Sequence, residues 1–116
     1  MKIALYHYCD KNLKRHNNSD TFIEETAQLV LCFSAKAILS DSGLFSLLKD
    51  RYPVANIVTC STAGEIFNTE VYDNTATISV IQFATTKTSA QIVRIEDYAN
   101  SFDAGIGLTK QFNKEA

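Results

Sequence analysis

Asn56-Ile57-Val58-Thr59-Cys60-Ser61-Thr62-Ala63-Gly64-Glu65-Ile66 is the stretch on which the reading of this chain turns. Its first residues are apolar or β-branched and predict a buried strand over 56–60. Small hydroxylated residues and a glycine then replace them at once. Open α/β sheets bind ligands at the carboxyl ends of their strands. Small side chains at such a place let backbone N–H groups come close to a bound group. Nowhere else does the chain gather so many polar contacts in so few residues.

Working outward from that strand, Leu44, Leu48 and Tyr52 recur at spacing i, i+4, i+8, with Phe45 and Leu47 beside them. This predicts an amphipathic helix over 43–52 that faces the core through Leu44, Phe45 and Leu48. Asp41-Ser42-Gly43 offers capping residues, and Pro53 ends the helix because the residue before a proline disfavours the helical region. Residues 28–34 are continuously apolar at their centre, which predicts a strand covered on both faces. Strand, helix and strand together predict a parallel crossover, right-handed by the usual rule.

Downstream, Ala76, Ile78 and Val80 alternate with Thr77, Ser79 and Ile81, the pattern of a half-buried strand. A short polar stretch, 85–88, separates it from residues 90–95, expected to be a second strand that forms a hairpin with the first. Asp97, Asn100 and Ser101 supply caps for a final helix with Phe102, Ile106 and Phe112 turned inward. Gly105 and Gly107 weaken that helix by roughly 1 kcal/mol each relative to alanine, so it is expected to need docking. Upstream, residues 2–8 read as a first strand, 9–21 as a polar loop and 21–25 as a weak helical turn. The fold class is therefore α/β: a mixed sheet with a parallel βαβ crossover, a following β-hairpin and a C-terminal helix, in one domain spanning 1–116.

The bulk chemistry narrows the function. Apolar residues make up 46% of the chain, enough for a core, and the formal net charge is only −2. No nucleic-acid footprint is indicated. Lys11, Lys14 and Arg15 cluster in the polar loop, where a solvated surface explains them. No apolar run approaches the roughly 20 residues that span a bilayer, and the amino terminus is too short and polar for a signal peptide. The three cysteines lie in or beside strand-like runs, not at disulfide-scaffold or zinc spacing. Reduced thiols in a cytoplasmic protein are expected.

Individual residues carry competing readings. Cys60 as a phosphatase-type nucleophile would need an arginine six residues on to clamp phosphate, and Ile66 stands there. A Cys/His pair would need His7 or His16 brought near, and nothing in the sequence does so. The plainer reading of Cys60 is a small buried thiol at a strand end. Ser61, Thr62, Ala63 and Gly64 suit an anion-binding turn or a tight turn that satisfies only its own backbone; spacing leaves both open. The turn is not a Walker A loop, since no Gly-Lys-Ser/Thr comes after it. Glu65 is either a handle for a ligand's amine or a solvated carboxylate. Glu24 and Glu25 read as a solvated turn, and Tyr6, Tyr8 and Tyr72 as packing residues.

Residues 60–66, Cys-Ser-Thr-Ala-Gly-Glu-Ile, resemble the hallmark of the FIST sensory domain of F-box and intracellular signal transduction proteins. Leu29-Val30-Leu31-Cys32-Phe33-Ser34 resembles the family's preceding strand, and 44–53 resembles its intervening helix. Val71-Tyr72-Asp73-Asn74 and 75–83 resemble the β-rich segment on the carboxyl side of the family's hallmark. The likeness covers residues 27–95. It departs at Thr59, where the family usually has glycine, and the family pattern runs on past Ala116, so the chain is expected to be the first part of a FIST N-terminal domain. The resemblance implies a non-enzymatic, cytoplasmic sensor of small molecules, amino acids or small carboxylates, coupled to a signalling output domain or protein. It implies a ligand site at Cys60, Ser61, Thr62, Ala63, Gly64 and Glu65, with no metal, no nucleic acid and no membrane insertion. Two alternatives stand beside it: a haem-based gas sensor using His7, His16 or a cysteine, and an enzyme with Cys60 as nucleophile. An interaction module that recruits a partner strand to a sheet edge is a further class. An exposed edge or apolar patch is expected, and with it self-association into a homodimer.

Overall fold

The computed structural model describes residues 1–16, 24–40, 43–62, 65–67, 70–72 and 75–113. Among these residues the strands run in chain order as β1 (Lys2–Cys9), β2 (Asn12–Arg15), β3 (Leu29–Ala35), β4 (Asn56–Thr62), β5 (Glu65–Phe67), β6 (Glu70–Tyr72) and β7 (Ala76–Gln82). The helices are α1 (Lys36–Ser40), α2 (Gly43–Arg51) and α3 (Ser101–Asn113). Single 3-10 turns occupy Glu24–Thr26 and Ile95–Asp97. Five strands form one mixed sheet in the order β2-β1-β7-β3-β4, and β5 and β6 form a separate two-stranded ribbon. Among the described strands only β3 and β4 pair in parallel. Among the described residues no helix is long and apolar enough to cross a membrane.

The predicted crossover is present, because α1 and α2 link the parallel pair β3 and β4. Leu44 and Leu48 of α2 and Tyr52, just past its end, are buried and pack with Val30, Cys32, Ile78, Val80, Ala4 and Tyr6 of the sheet. The basic Lys49 and Arg51 end α2, where the helix dipole favours positive charge. Arg51 lies over the Tyr6 ring, 5.4 Å from its centroid. Phe45 corrects one expectation. It sits about 100° round the helix from Leu44 and is 49% exposed, not in the core.

One face of the sheet is fully covered and the other only in part. On β3, Val30, Cys32 and Ser34 are buried beneath α2, while Leu29 and Leu31 on the opposite face are half-buried and Phe33 is 46% exposed. The expectation of cover on both faces of β3 therefore fails at Phe33.

Two parts of the topology depart from the sequence reading. Residues 9–21 are not all loop. Asp10 and Lys11, at φ 51° and 63°, make the two-residue turn of a β1–β2 hairpin. Positive φ at both positions matches the twist of the flanking strands. Lys14 and Arg15 thus lie on a strand, although both are exposed as expected. The second departure is the hairpin expected from 76–81 and 90–95. β7 already has β1 on one side and β3 on the other, so it has no edge left for a third partner. Residues 90–94 lie outside the sheet, with Arg94 in an extended conformation, and 95 begins a 3-10 turn. The hairpin after the crossover is β5–β6 instead.

The C-terminal helix forms where expected. Asn100 Oδ1 accepts the Asp103 N–H at 2.8 Å, capping the first turn. Its face is not as expected: Phe102 is 75%, Ile106 41% and Phe112 39% exposed, and Ala104 is the buried residue. A Cβ on Gly107 would meet the Tyr98 ring, whereas one on Gly105 would meet open space.

Candidate functional site

β3 and β4 end side by side, and their register places the candidate residues. Cys60 lies opposite Phe33, Ser61 opposite Ser34, and Thr62 opposite Ala35. Directly paired residues share a face, and successive residues alternate. Cys60 and Thr62 therefore belong to the open face with Phe33, and Ser61 to the covered face with Ser34. Backbone hydrogen bonds hold this end of the sheet. The Ala35 N–H donates to Thr75 O at 3.0 Å, and the buried Ser34 hydroxyl donates to Ala35 O at 3.1 Å. Thr75 is itself buried. β5 contacts β3 and β7. Glu65 begins β5 and pairs through its backbone with Tyr72 of β6. Ala63 and Gly64 lie outside the described residues, as do the capping candidates Asp41 and Ser42.

Cys60 is exposed, which corrects the reading of a buried thiol. Among the described strands β4 lies at the sheet edge, with none on its far side. The Cys60 thiol donates to Ser61 O at 3.5 Å. Cys32 behaves oppositely: burial pushes its thiol up to about 11, since an apolar surrounding disfavours the thiolate.

The histidines stay away from Cys60. His7 pairs with Thr77 on β7, Thr77 with Phe33 on β3, and Phe33 with Cys60 on β4. That is three inter-strand steps, or about 14 Å. His16 continues the β1–β2 ladder through its N–H to Leu5 O at 2.8 Å. No Cys/His dyad is assembled here. Among the described residues no three His, Cys, Asp or Glu side chains gather around a common point.

One residue in that cross-strand row was missed. Thr77 Oγ1 is buried without a hydrogen-bond partner among the described residues. It lies on the same face and row as Phe33 and Cys60. Sequence offered only its place on the polar half of an alternating strand. A buried hydroxyl left unpaired costs about 1–3 kcal/mol, which makes this position one to watch for polar contact.

An open groove of about 570 Å³ runs beside β4. Phe45 and Lys49 of α2, residues 55–59 and residues 90–92 line it. It flanks the amino-terminal half of the strand, and none of Cys60, Ser61 or Thr62 lines it. Two smaller hollows lie around 84–88 and around Met1. Neither histidine and no cysteine lines any of the three, so these cavities do not fit a haem, and no chemistry is derived from one.

No curated protein and no solved structure matches the chain. A model of the FIST N domain matches residues 28–116, from the strand before α1 through α3. That span contains the parallel crossover and the carboxyl end of β4 described above, and the chain belongs to the FIST N domain family.

Proposed function

We propose that this chain is the ligand-recognising part of a sensor, with the turn after β4 as its binding point for an amino acid or another small carboxylate. The FIST N domain is a sensory domain of signal transduction proteins. The observation that carries the proposal is the placement of Cys60, Ser61 and Thr62 at the carboxyl end of the only parallel strand pair in the described sheet. Ligands of open α/β sheets sit at that end. In this reading Ser61 and Thr62 offer hydroxyls, Ala63 and Gly64 offer backbone N–H groups, and Glu65 offers a carboxylate for an amine.

Signalling then proceeds by population shift. A ligand that favours one arrangement of the turn biases an output partner by its differential affinity for the two states. The role is binding rather than catalysis, in keeping with the distance between Cys60 and either histidine. Three free cysteines suit a cytoplasmic setting.

Thermal-shift and calorimetric screening of amino acids and small carboxylates tests the proposal. Thr62→Val keeps the side-chain shape and removes the hydroxyl. It should weaken binding by about 1–3 kcal/mol if that hydroxyl contacts ligand. Gly64→Leu should abolish close approach to the backbone. Undiminished binding of a confirmed ligand to both variants would move the site elsewhere.

A further inference from the structure

Among the described strands none pairs with the outer edge of β4, and the chain holds a segment shaped to close it. The Asn56 N–H donates to Gln28 O, on the β3 side. Backbone groups of a strand point alternately to its two sides, so those of Ile57, Thr59 and Ser61 face the free edge. The edge residues 56–62 include no charge and no proline, the usual guards of an exposed strand.

Residues 90–92 form the opposite wall of the groove along that edge. They belong to a stretch whose exposure alternates residue by residue. Ala90, Ile92 and Arg94 are exposed, and Gln91 and Val93 are half-buried. Arg94 has strand-like dihedrals, φ −96° and ψ 124°. The stretch is tied at its start to the amino end of β4. The Thr88 hydroxyl accepts from Asn56 Nδ2 at 3.2 Å and donates to Gln28 O at 3.3 Å.

We propose that residues 89–94 are a strap that zips onto β4 as a sixth strand, parallel to it, and closes the groove. The Asn56–Thr88 tie sets the register, which brings Ile92 beside Cys60 on the open face and Gln91 beside Thr59 on the covered face. Ile92, now 87% exposed, then extends the apolar row of Phe33. The connection is long enough. From β7 to the new position is three strand spacings, about 14 Å, and the seven residues 83–89 reach about 23 Å when extended. The domain thereby gains an element with two arrangements along the strand that carries the hallmark turn. The proposal does not depend on any ligand.

Thiol cross-linking tests it in the whole chain. Ile92→Cys is made in a Cys9→Ser background, leaving the native Cys60 exposed and Cys32 buried. Position 92 is a surface site, so folding is not at risk. Under a mild oxidant or a short bifunctional thiol reagent in dilute solution, the variant should form an intramolecular link to Cys60, identified by peptide mapping. Gln91→Cys, directed to the other face, should link at least about tenfold more slowly, because thiol pairing is geometrically strict. Equal linking of the two variants, or no link in Ile92→Cys, overturns the proposal. So does a product found only between two molecules, which would assign the edge to a second copy of the chain.

Discussion

Two helices of this protein carry apolar residues at helical spacing, and only one of them buries its stripe. α2 sets Leu44 and Leu48 into the core, with Tyr52 just past its end, each 2% exposed or less. α3 leaves Phe102, Ile106 and Phe112 at the surface. The difference lies in the connections. With α1, α2 links two parallel strands of one sheet, so the chain path holds it on the sheet face. α3 comes after residues 83–100, which leave the sheet, and it packs mainly on its own preceding turn at Ile95–Asp97. Amphipathic spacing identifies a helix and its apolar stripe, but it does not supply the surface that stripe will meet.

The sharpest way to break this contrast is truncation on each helix. Leu48→Ala should cost about 2–5 kcal/mol, the range for emptying a fully buried leucine site. Phe102→Ala should change stability by less than about 0.5 kcal/mol, as surface substitutions do. Denaturant melts of both variants measure it, and similar losses in the two would mean that α3 is docked after all.

The next effect is on pH, and it probes the core beneath α2. Cys32 has its thiol pushed up to about 11 by burial. A thiol whose folded pKa lies above its unfolded value binds the proton more tightly when folded. The stabilisation is complete below the ordinary thiol value, about 9, and is lost as pH rises toward about 11. Stability should therefore fall by roughly 2 kcal/mol across that window, and Cys32→Ala should flatten this part of the profile. Alkylation at neutral pH should label Cys60 well before Cys32.

The smaller effects belong to α3. Asn100→Ala removes the acceptor of the Asp103 N–H and should cost the helix about 1 kcal/mol. Amide exchange in the first turn reads this better than a global melt. Gly105→Ala meets open space and should strengthen the same helix by up to about 1 kcal/mol. Gly107→Ala should gain less, since its Cβ must displace the Tyr98 ring.

Legibility tracked locality. The crossover and the alternating β7 were readable because their periodicities are set by residues near in sequence. The cap at Asn100 was readable for the same reason. The strand at Asn12–Arg15 was not, because its few polar residues have no strand signal of their own. Pairing with β1 makes it a strand. Residues 90–95 have strand composition, and the error lay in the partner. Whether β7 keeps a free edge depends on β1, which is some seventy residues away in the chain. For the site, the change of composition after Thr59 came before the strand end, since β4 runs on through Cys60, Ser61 and Thr62. Register alone showed that Cys60 and Ser61 leave from opposite faces and that Thr77 shares the row with Cys60.

By itself, then, the sequence determined the strands β1, β3, β4 and β7, the helices α2 and α3, where α3 is capped, and that the strand beginning at Asn56 gives way to small polar residues. These come from side-chain periodicity and local hydrogen bonding, which act over a few residues. Tertiary structure decided the sheet order, the open face at Phe33, the exposure of Cys60 on an edge strand and the separation of the histidines from it. Those depend on which strands occupy which edges, a competition among segments far apart in the chain that no local pattern records.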